Sequence, residues 1–330
     1  MKEIPHVMQS IMNKAIKNEA TDIHFYVSET VVNVYFRING LRFLNQEISV
    51  KQYTVLLVHL KFTASMDIGE SLKPQDGSLE YDLNNRLYSL RLSTLPMVNM
   101  ESLTIRILPQ TEKYKLEELL LFKYQVKAIK RLSRLNSGLI IMSGPTGSGK
   151  TTLMYSMIED LLKEKKLQII TLEDPVERNI DEVIQIQINE QAKISYETGL
   201  KAILRHDPDV ILVGEIRDAK TAEYAFRAAL TGHLVLTTVH ASNLQGTIER
   251  LKELGISNIE IKQSLKSIIS IKLVLLKEIK KVKRRAAITE MTENYNWIEN
   301  KTKRDYLTFS DLRKKAYAYG FIEADELYVT

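Results

Sequence analysis

The segment Gly144-Pro-Thr-Gly-Ser-Gly-Lys-Thr151 matches the pattern G-x-x-x-x-G-K-[S/T], which surrounds the phosphates of nucleoside triphosphates. At ordinary residue frequencies a chance match in a chain of this length is on the order of one per cent. A short apolar run at 139–142 precedes the motif and a helical pattern follows from Lys150, which is the strand–loop–helix setting that the motif requires. Glycines let several backbone N–H groups converge on one anion, and the helix N-terminus adds its dipole. The predicted nucleotide-binding residues are Gly144, Pro145, Thr146, Gly147, Ser148, Gly149, Lys150, Thr151 and Thr152.

The composition is that of an ordinary folded protein, with 44% hydrophobic and 26% charged residues in a chain of 330. This length predicts two or three domains. The chain has no cysteine, which excludes disulfides and thiolate zinc sites, and no zinc is expected. No segment approaches the ~18–20 consecutive apolar residues of a membrane span. The net charge of +5 is too small to indicate nucleic-acid binding by itself, although much of the excess lies in the basic run at 277–285.

Residues 1–110 are predicted to form a small α+β domain. Residues 21–48 are rich in β-branched and aromatic residues, and Asn39-Gly40 within them is a strong hairpin signal. Two alternating runs predict further strands. These strands are predicted at 88–93 and 103–108. Two helices, at 4–16 and 53–62, and a turn at 74–77 complete the prediction for this domain.

Residues 111–118 are predicted to be a linker, and the pattern beyond it changes to helix–strand alternation over 119–330. Short apolar runs alternate with helical segments, which is typical of a mostly parallel sheet covered on both faces. The fold class is therefore α/β, with a helical C-terminal region. The predicted elements are strands at 139–142, 168–172, 210–213 and 234–238, with a helical stretch at 116–135.

Acidic residues follow two of these strands. Glu173 and Asp174 lie in Thr171-Leu-Glu-Asp-Pro-Val-Glu177, and Glu215 follows the strand at 210–213. Ligands bind beyond the carboxyl ends of strands in such sheets, so we expect these carboxylates to converge on Mg²⁺ and the attacking water. Glu215 is the candidate general base and Glu173 a second catalytic carboxylate. Thr151, Glu173 and Asp174 are the candidate Mg²⁺ ligands, and ATP with Mg²⁺ is the expected nucleotide.

His240 ends the fourth strand, and we expect it to contact the γ-phosphate together with Thr238. His233 begins the same strand, where a structural role is the simpler interpretation. Arg205 and Arg217 flank the strand at 210–213 and are candidates for subunit interfaces.

These motifs together resemble the type II/type IV secretion ATPases, the hexameric motors of type IV pili, type II secretion and competence pseudopili. The phosphate loop and three further segments match the second domain of that family, and four segments match its first domain. The further segments are Thr171-Leu-Glu-Asp-Pro-Val-Glu177, residues 204–218, residues 231–243, Ala20-Thr-Asp-Ile-His24, Arg37-Ile-Asn-Gly40, Pro74-Gln-Asp-Gly77 and Arg91-Leu-Ser-Thr-Leu-Pro96.

The resemblance implies a PAS-like first domain, a RecA-like P-loop ATPase domain and a ring of six subunits that binds nucleotide between the domains. It further implies that Arg91 and Arg106 of the first domain reach the phosphates; surface strand residues are the simpler interpretation of the same two arginines. A cytoplasmic location at the inner face of the membrane and a contact with an inner-membrane platform protein are expected.

The chain departs from the larger family members, because it begins directly at the PAS-like domain and lacks the four-cysteine zinc insertion. Those features favour the competence pseudopilus ATPases, which power DNA uptake, and leave a pilus-retraction ATPase as the alternative within the family. A nucleic-acid-translocating motor and a scaffold without turnover are the alternatives outside it. Direct nucleic-acid binding is not expected, because the basic run lacks a nearby aromatic stacking platform in the sequence.

Overall fold

The structure is a computed structural model that describes residues 3–38, 40–98, 100–110, 113–164, 166–189, 192–277, 284–292 and 306–328. The chain divides into two compact units, Met1–Glu112 and Lys113–Thr330. The predicted linker at 111–118 contains the beginning of the first helix of the second unit, at Leu116. Within the described residues, every helix is too short or too polar to span a bilayer.

The first unit is a six-stranded sheet with two helices. The strands lie in the order β3-β2-β1-β6-β5-β4, and each neighbouring pair is antiparallel. The elements are α1 (Glu3–Lys17), β1 (Asp22–Val27), β2 (Val31–Ile38), β3 (Leu41–Ser49), α2 (Val50–Thr63), β4 (Gln75–Leu83), β5 (Arg86–Pro96) and β6 (Glu101–Pro109).

The core of this unit lies between the two helices and one face of the sheet. Ile11 and Met12 of α1 and Tyr53 of α2 are buried against alternate residues of the central strands, such as Ile23 and Ile105. Because side chains alternate across a strand, the residues between these core positions lie on the opposite face of the sheet. That opposite face carries Arg91 and Arg106, the two arginines that the family resemblance places at the phosphates.

The hairpin prediction is confirmed, because Ile38 of β2 pairs with Leu41 of β3 across a two-residue loop. The predicted turn at 74–77 is wrong: residues 75–77 begin β4, and bends at residues 72 and 73 precede the strand. This edge strand is polar and contains a glycine, so its composition resembles that of a loop.

The second unit is built on a seven-stranded sheet in the order β13-β12-β7-β11-β10-β8-β9. The neighbouring strands are parallel except for the antiparallel pair β12–β13, which confirms the prediction of a mostly parallel sheet. The strands are β7 (Gly138–Ser143), β8 (Ile169–Glu173), β9 (Ile184–Gln187), β10 (Val210–Val213), β11 (Leu234–Val239), β12 (Leu265–Leu275) and β13 (Arg285–Met291).

Helices cover both faces of this sheet. Ile140 and Leu212 point into a core formed with α4 and α5, whereas Ile141 and Ile211 point into a core formed with α7 and α8. The helices are α3 (Leu116–Leu119), α4 (Lys123–Ser133), α5 (Lys150–Glu164), α6 (Tyr196–Ile203), α7 (Ala219–Leu230), α8 (Leu244–Glu253), α9 (Asn258–Ser264) and α10 (Phe309–Ala318), followed by a 3₁₀ turn at Ala324–Leu327.

Two predictions about the second unit are wrong. The helical stretch at 116–135 is two helices, interrupted where Leu120 bridges to Ala287 of β13. The C-terminal region is not simply helical, because β12 and β13 extend the sheet and α10 packs on them through Phe309 and Leu312. Both differences arise from long-range strand pairing, which local helical periodicity does not report.

Two aromatic residues that are distant in sequence lie near the first residue of the basic run. The backbone N–H of Lys277 donates to the carbonyl oxygen of Phe321 at 2.9 Å, and the ring of Phe321 lies 5.9 Å from that of Tyr319. Both rings are exposed. Residues 278–283 of the basic run lie outside the described residues, so this contact concerns its first residue only.

A buried ion pair joins helix and sheet in the first unit. Lys61 Nζ lies 2.6 Å from Glu101 Oε2, and their side chains are only 2% and 7% exposed. The same ammonium donates to the carbonyl oxygen of Glu70 at 2.7 Å, and Tyr53 donates to the carbonyl oxygen of Glu101. A charge buried in this way depends on its partner, because the low-dielectric interior does not solvate it.

We expect Lys61→Met to lower the free energy of unfolding by about 3–5 kcal/mol, because it leaves the Glu101 carboxylate buried without a cation. Lys73→Met is the matched control, since Lys73 pairs with Glu70 at 3.7 Å but is 79% exposed, and exposed pairs contribute only about 0–1 kcal/mol. Denaturant unfolding of the full chain measures both. If Lys61→Met and Lys73→Met lowered the free energy of unfolding by equally small amounts, the Lys61–Glu101 pair would not have this stabilising role.

Candidate nucleotide-binding site

The predicted phosphate loop connects β7 to α5. The chain leaves β7 at Ser143, and α5 begins at Lys150. Gly144, Gly147 and Gly149 have φ values of +151°, +79° and +93°, a region that side chains with a Cβ rarely occupy. The loop therefore has the glycine-dependent curl that the sequence predicts, and its tip, residues 145–147, is exposed.

Gly144 lies too close to β12 for any larger residue. A Cβ at this position would be 2.7 Å from the carbonyl oxygen of Ile271 and 2.5 Å from Ser148 Oγ. Next to Gly144, the Ser143 hydroxyl is 2.6 Å from that of Ser270, also on β12. The loop is thus fixed to β12 at its first residue.

Two features of the loop fit an anionic ligand. Ser148 Oγ is buried and has no hydrogen-bond partner within the described residues. The first N–H groups of α5 have no acceptor within the helix, because an α-helix leaves its first four donors unpaired. Donors that converge at a helix N-terminus form a site for a phosphate group.

The Lys150 ammonium lies inside the loop. It donates to the carbonyl oxygens of Gly144 at 2.8 Å and Pro145 at 3.0 Å. Burial lowers the pKa of Lys150, while the carboxylates of Glu215 and Glu177 act in the opposite direction. The side chain is therefore held against its own loop, and the Glu215 carboxylate opposes the lowering of its pKa by burial.

Glu215 follows β10, at the carboxyl edge of the sheet. Its carboxylate pairs with Arg217, and its Oε2 lies 3.3 Å from Nε2 of His240, which follows β11. Arg217 also lies 3.1 Å from Asp174, which follows β8. Residues from the ends of three strands thus form one charged network, as the shared edge of a parallel sheet predicts.

Arg217 connects this network, although its sequence position suggested only an interface role. The interaction with Glu215 raises the pKa of Arg217, which stays protonated. Arg217 lies two positions after Glu215, but Asp174 is distant in sequence, so the sequence carries no signal for the second contact.

The backbone at the end of β10 is held by β11 and β8. Thr238 Oγ1 donates to the carbonyl oxygen of Gly214 at 2.8 Å, and the N–H of Gly214 donates to Leu172. A Cβ at Gly214 would lie 3.3 Å from the backbone of Glu173, so this glycine sits in close contact with β8. Thr238 therefore positions Glu215.

Glu173 has a different environment from the other carboxylates. It is buried, and its Oε1 accepts from Thr171 at 2.6 Å and from Gln185 at 3.3 Å. Its Oε2 accepts from the Tyr155 hydroxyl of α5. Burial and the neighbouring carboxylate raise the pKa of Tyr155, so its hydroxyl stays protonated and remains a donor. The carboxylate thus ties the helix that carries Lys150 to β8.

The predicted Mg²⁺ ligands are not equally placed. Thr151 lies in the first turn of α5 and is half-buried, and Asp174 is partly exposed, whereas both oxygens of Glu173 are engaged. Across the described part of the chain, no three His, Asp or Glu side chains are grouped to hold an ion. A hydroxyl and one carboxylate still fit Mg²⁺, which keeps several waters and binds largely through substrate phosphates.

The contacts of the remaining predicted site residues are as follows. His233 lies at the opposite end of β11 from His240, where its Nδ1 is 3.1 Å from Thr231 Oγ1. Arg91 of β5 and Arg106 of β6 are register partners in the sheet of the first unit. Arg106 pairs with Asp22 there.

Comparison with known proteins gives several matches along the chain. The model of the type II/IV secretion system protein family matches residues 1–309. The chain is 43% identical to the competence protein ComGA of Bacillus subtilis, covering 83% of this chain and 77% of that protein. It is 39% identical to ComGA of Halalkalibacterium halodurans, covering 99% and 98%. The type II secretion system ATPase E of Vibrio cholerae is 36% identical, and the match covers 81% of this chain but only 53% of that protein.

Solved structures agree with this assignment. The pilus retraction motor PilT with bound ADP superposes with a TM-score of 0.75 at 28% identity, covering 97% of this chain and 95% of that chain. The Legionella pneumophila ATPase DotB has a TM-score of 0.78 at 24% identity, covering 98% and 94%, and supports the fold alone. The chain therefore belongs to the type II/IV secretion system protein family.

Proposed function

We propose that this protein is a Mg²⁺-dependent P-loop ATPase that powers assembly of a competence pseudopilus for DNA uptake. The observation that carries the proposal is the placement of Lys150 in a glycine loop and of Glu215 at the neighbouring strand ends. The ComGA relatives support the competence assignment, because they match the chain at 39–43% identity. The likeness to PilT supports the second candidate within the family, a pilus-retraction ATPase.

The proposed assembly is a ring of six copies, each with a PAS-like first domain and a RecA-like second domain. It works in the cytoplasm at the inner face of the membrane, against an inner-membrane platform protein. Membership of the type II/IV secretion system protein family and the likeness to the pilus retraction motor PilT support this arrangement. We further propose that Arg91 and Arg106 contact the phosphates during hydrolysis, since guanidinium groups stabilise the charge of the phosphoryl transition state.

In the proposed reaction, the loop N–H groups and Lys150 bind the β- and γ-phosphates. Lys150 then exchanges its two carbonyl contacts for phosphate oxygens. Glu215 accepts the proton of the attacking water as that water displaces ADP from the γ-phosphorus. An ionised carboxylate has about four acceptor positions, so Arg217 and His240 leave room for the water. Mg²⁺, held by Thr151 and Asp174, would add positive charge beside the phosphates.

Glu173 has a supporting part in this proposal. Its contact with Tyr155 holds α5 against β8, and β8 is followed by Asp174. Glu173 therefore fixes the spacing between the loop and the strand ends. Direct ligation of Mg²⁺ would require it to give up one of its present donors.

We expect Glu215→Gln to bind ATP normally but to lose about 10²–10⁴-fold in turnover, because the amide cannot accept the proton. Lys150→Ala is the companion variant and should lose ATP binding itself, since a charge-assisted contact with the phosphates is removed. Nucleotide affinity and single-turnover hydrolysis separate the two effects. Normal ATP affinity in Lys150→Ala would refute the phosphate-loop assignment.

We expect Glu173→Gln and Tyr155→Phe each to lower turnover. Tyr155→Phe removes the hydroxyl that joins α5 to β8, and the amide of Glu173→Gln has a single acceptor oxygen, which cannot serve Tyr155 and Thr171 at the same time. Loss of a hydrogen bond to a charged group costs about 1.5–3 kcal/mol in stability, so unfolding is measured alongside kcat. Tyr81→Phe is the control, since its hydroxyl bonds Asn13 in the first unit. If Glu173→Gln abolishes turnover while Tyr155→Phe is normal, Glu173 is a direct ligand or base.

A nucleic-acid-translocating motor is the candidate from another class, and the exposed rings of Tyr319 and Phe321 beside Lys277 are the observation in its favour. We expect single-stranded DNA to leave ATP turnover unchanged, because a net charge of +5 is small for a protein that binds nucleic acid through its phosphates. Hydrolysis with and without DNA measures this. DNA stimulation that disappears in Tyr319→Ala with Phe321→Ala would favour the translocating motor instead.

A further inference from the structure

A row of charged side chains crosses the open face of the sheet in the first unit. Its members are successive register partners on neighbouring strands, from β3 to β5. They are, in spatial order, Arg42, Arg37, Asp22, Arg106 and Arg91. The next row, which includes Ile23, Phe36 and Ile105, lies in the core, so the charged row faces away from α1 and α2.

Asp22 is the buried member of this row. Its side chain is 7% exposed, whereas that of Arg106 is 62% exposed. Burial would raise the pKa of Asp22, but hydrogen bonds from Arg106 and Thr21 outweigh it and lower the pKa below its usual value. The carboxylate is therefore ionised at neutral pH. A buried, ionised carboxylate needs a cationic partner, so it holds a neighbouring arginine in one position.

The contact between Asp22 and Arg106 uses one end of the guanidinium. Arg106 Nε donates to Asp22 Oδ1 at 2.8 Å, and Thr21 Oγ1 donates to Oδ2 of the same carboxylate at 2.8 Å. Within the part of the chain that the structure describes, no hydrogen bond occupies Nη1 or Nη2 of Arg106. Those two nitrogens form the edge that binds a phosphate in a bidentate manner.

Arg37 does not hold the carboxylate in the same way. It is 3.9 Å from Asp22 Oδ2, and its Nη1 donates to the carbonyl oxygen of Gly40 in the hairpin. Arg91 lies directly opposite Arg106, and like charges that face each other across a sheet repel. Asp22 thus opposes the displacement of Arg106 by its neighbour.

We propose that Asp22 is a positioning residue that holds Arg106 by Nε and presents its Nη1–Nη2 edge to the phosphates of bound ATP. This inference rests on the proposed role of Arg106 in hydrolysis. A side chain fixed before the reaction loses less conformational entropy when it contacts the transition state. Asp22 itself touches no substrate, so its effect passes entirely through Arg106.

The test measures ATP affinity and kcat of the full chain for Asp22→Asn, Arg106→Ala and the double variant. We expect Asp22→Asn to lower kcat about 10–100-fold, the range for a misplaced catalytic group, with little change in ATP affinity. The double variant should be no slower than Arg106→Ala alone. Asp76→Asn is the matched control, because it removes an exposed carboxylate from the same sheet face two residues along β4 from Ser78, the partner of Arg91, and its kcat should be normal.

Each remaining outcome identifies which assumption is wrong. Normal kcat in Arg106→Ala would overturn the proposed role of that arginine. A lower kcat in Arg106→Ala together with a normal kcat in Asp22→Asn would overturn the positioning role alone. The same conclusion would follow if the reductions in kcat of the two single variants added up in the double variant. If Asp22→Asn does not fold, Thr21→Ala serves instead, because it frees one oxygen of the carboxylate while keeping its charge. Thr21→Ala should then lower kcat in the wild-type background and have no effect beside Arg106→Ala.

Discussion

The close approach of Gly144 to the carbonyl oxygen of Ile271 is the constraint on which the arrangement of the candidate nucleotide site depends. It fixes the first residue of the loop against β12, and the Ser143–Ser270 contact fixes the residue before it. Because β12 is parallel to β7, both strands run toward the same edge of the sheet, and β12 continues beyond the end of β7. The loop is consequently curled by its neighbour as well as by its own glycines, and α5 starts from a defined point.

The network beyond the loop follows from the same parallel order. β10 and β11 bring Glu215 and His240 together, and β8 adds Asp174, which Arg217 joins to Glu215. Behind them, Glu173 is buried and connects β8 to α5 through Tyr155. Polar groups inside a protein are costly unless they are paired. The carboxylates divide accordingly into a buried one with protein donors and partly exposed ones that can meet a ligand.

The sequence predicted the elements whose signals are local. The phosphate loop, the Asn39-Gly40 hairpin and the short apolar strands β7, β8, β10 and β11 each depend on adjacent residues. It missed β4, which is polar, and β12, which extends the sheet beyond β7. The contacts of Glu173 with Tyr155 and of Asp22 with Arg106 join residues 18 and 84 positions apart. No periodicity encodes such pairs, because tertiary packing creates them.

Two of the cations proposed to contact the phosphates, Lys150 and Arg106, share one physical property. The Lys150 ammonium is held by two carbonyl oxygens of its own loop, and the Arg106 guanidinium is held at Nε by a buried carboxylate. Free lysine and arginine side chains each lose up to about 2 kcal/mol of rotamer entropy on becoming ordered. Much of that cost is already met during folding, when the loop closes on β12 and β1 pairs with β6. In the proposed reaction, binding energy from the phosphates is therefore available to stabilise the transition state rather than to order the side chains that contact it.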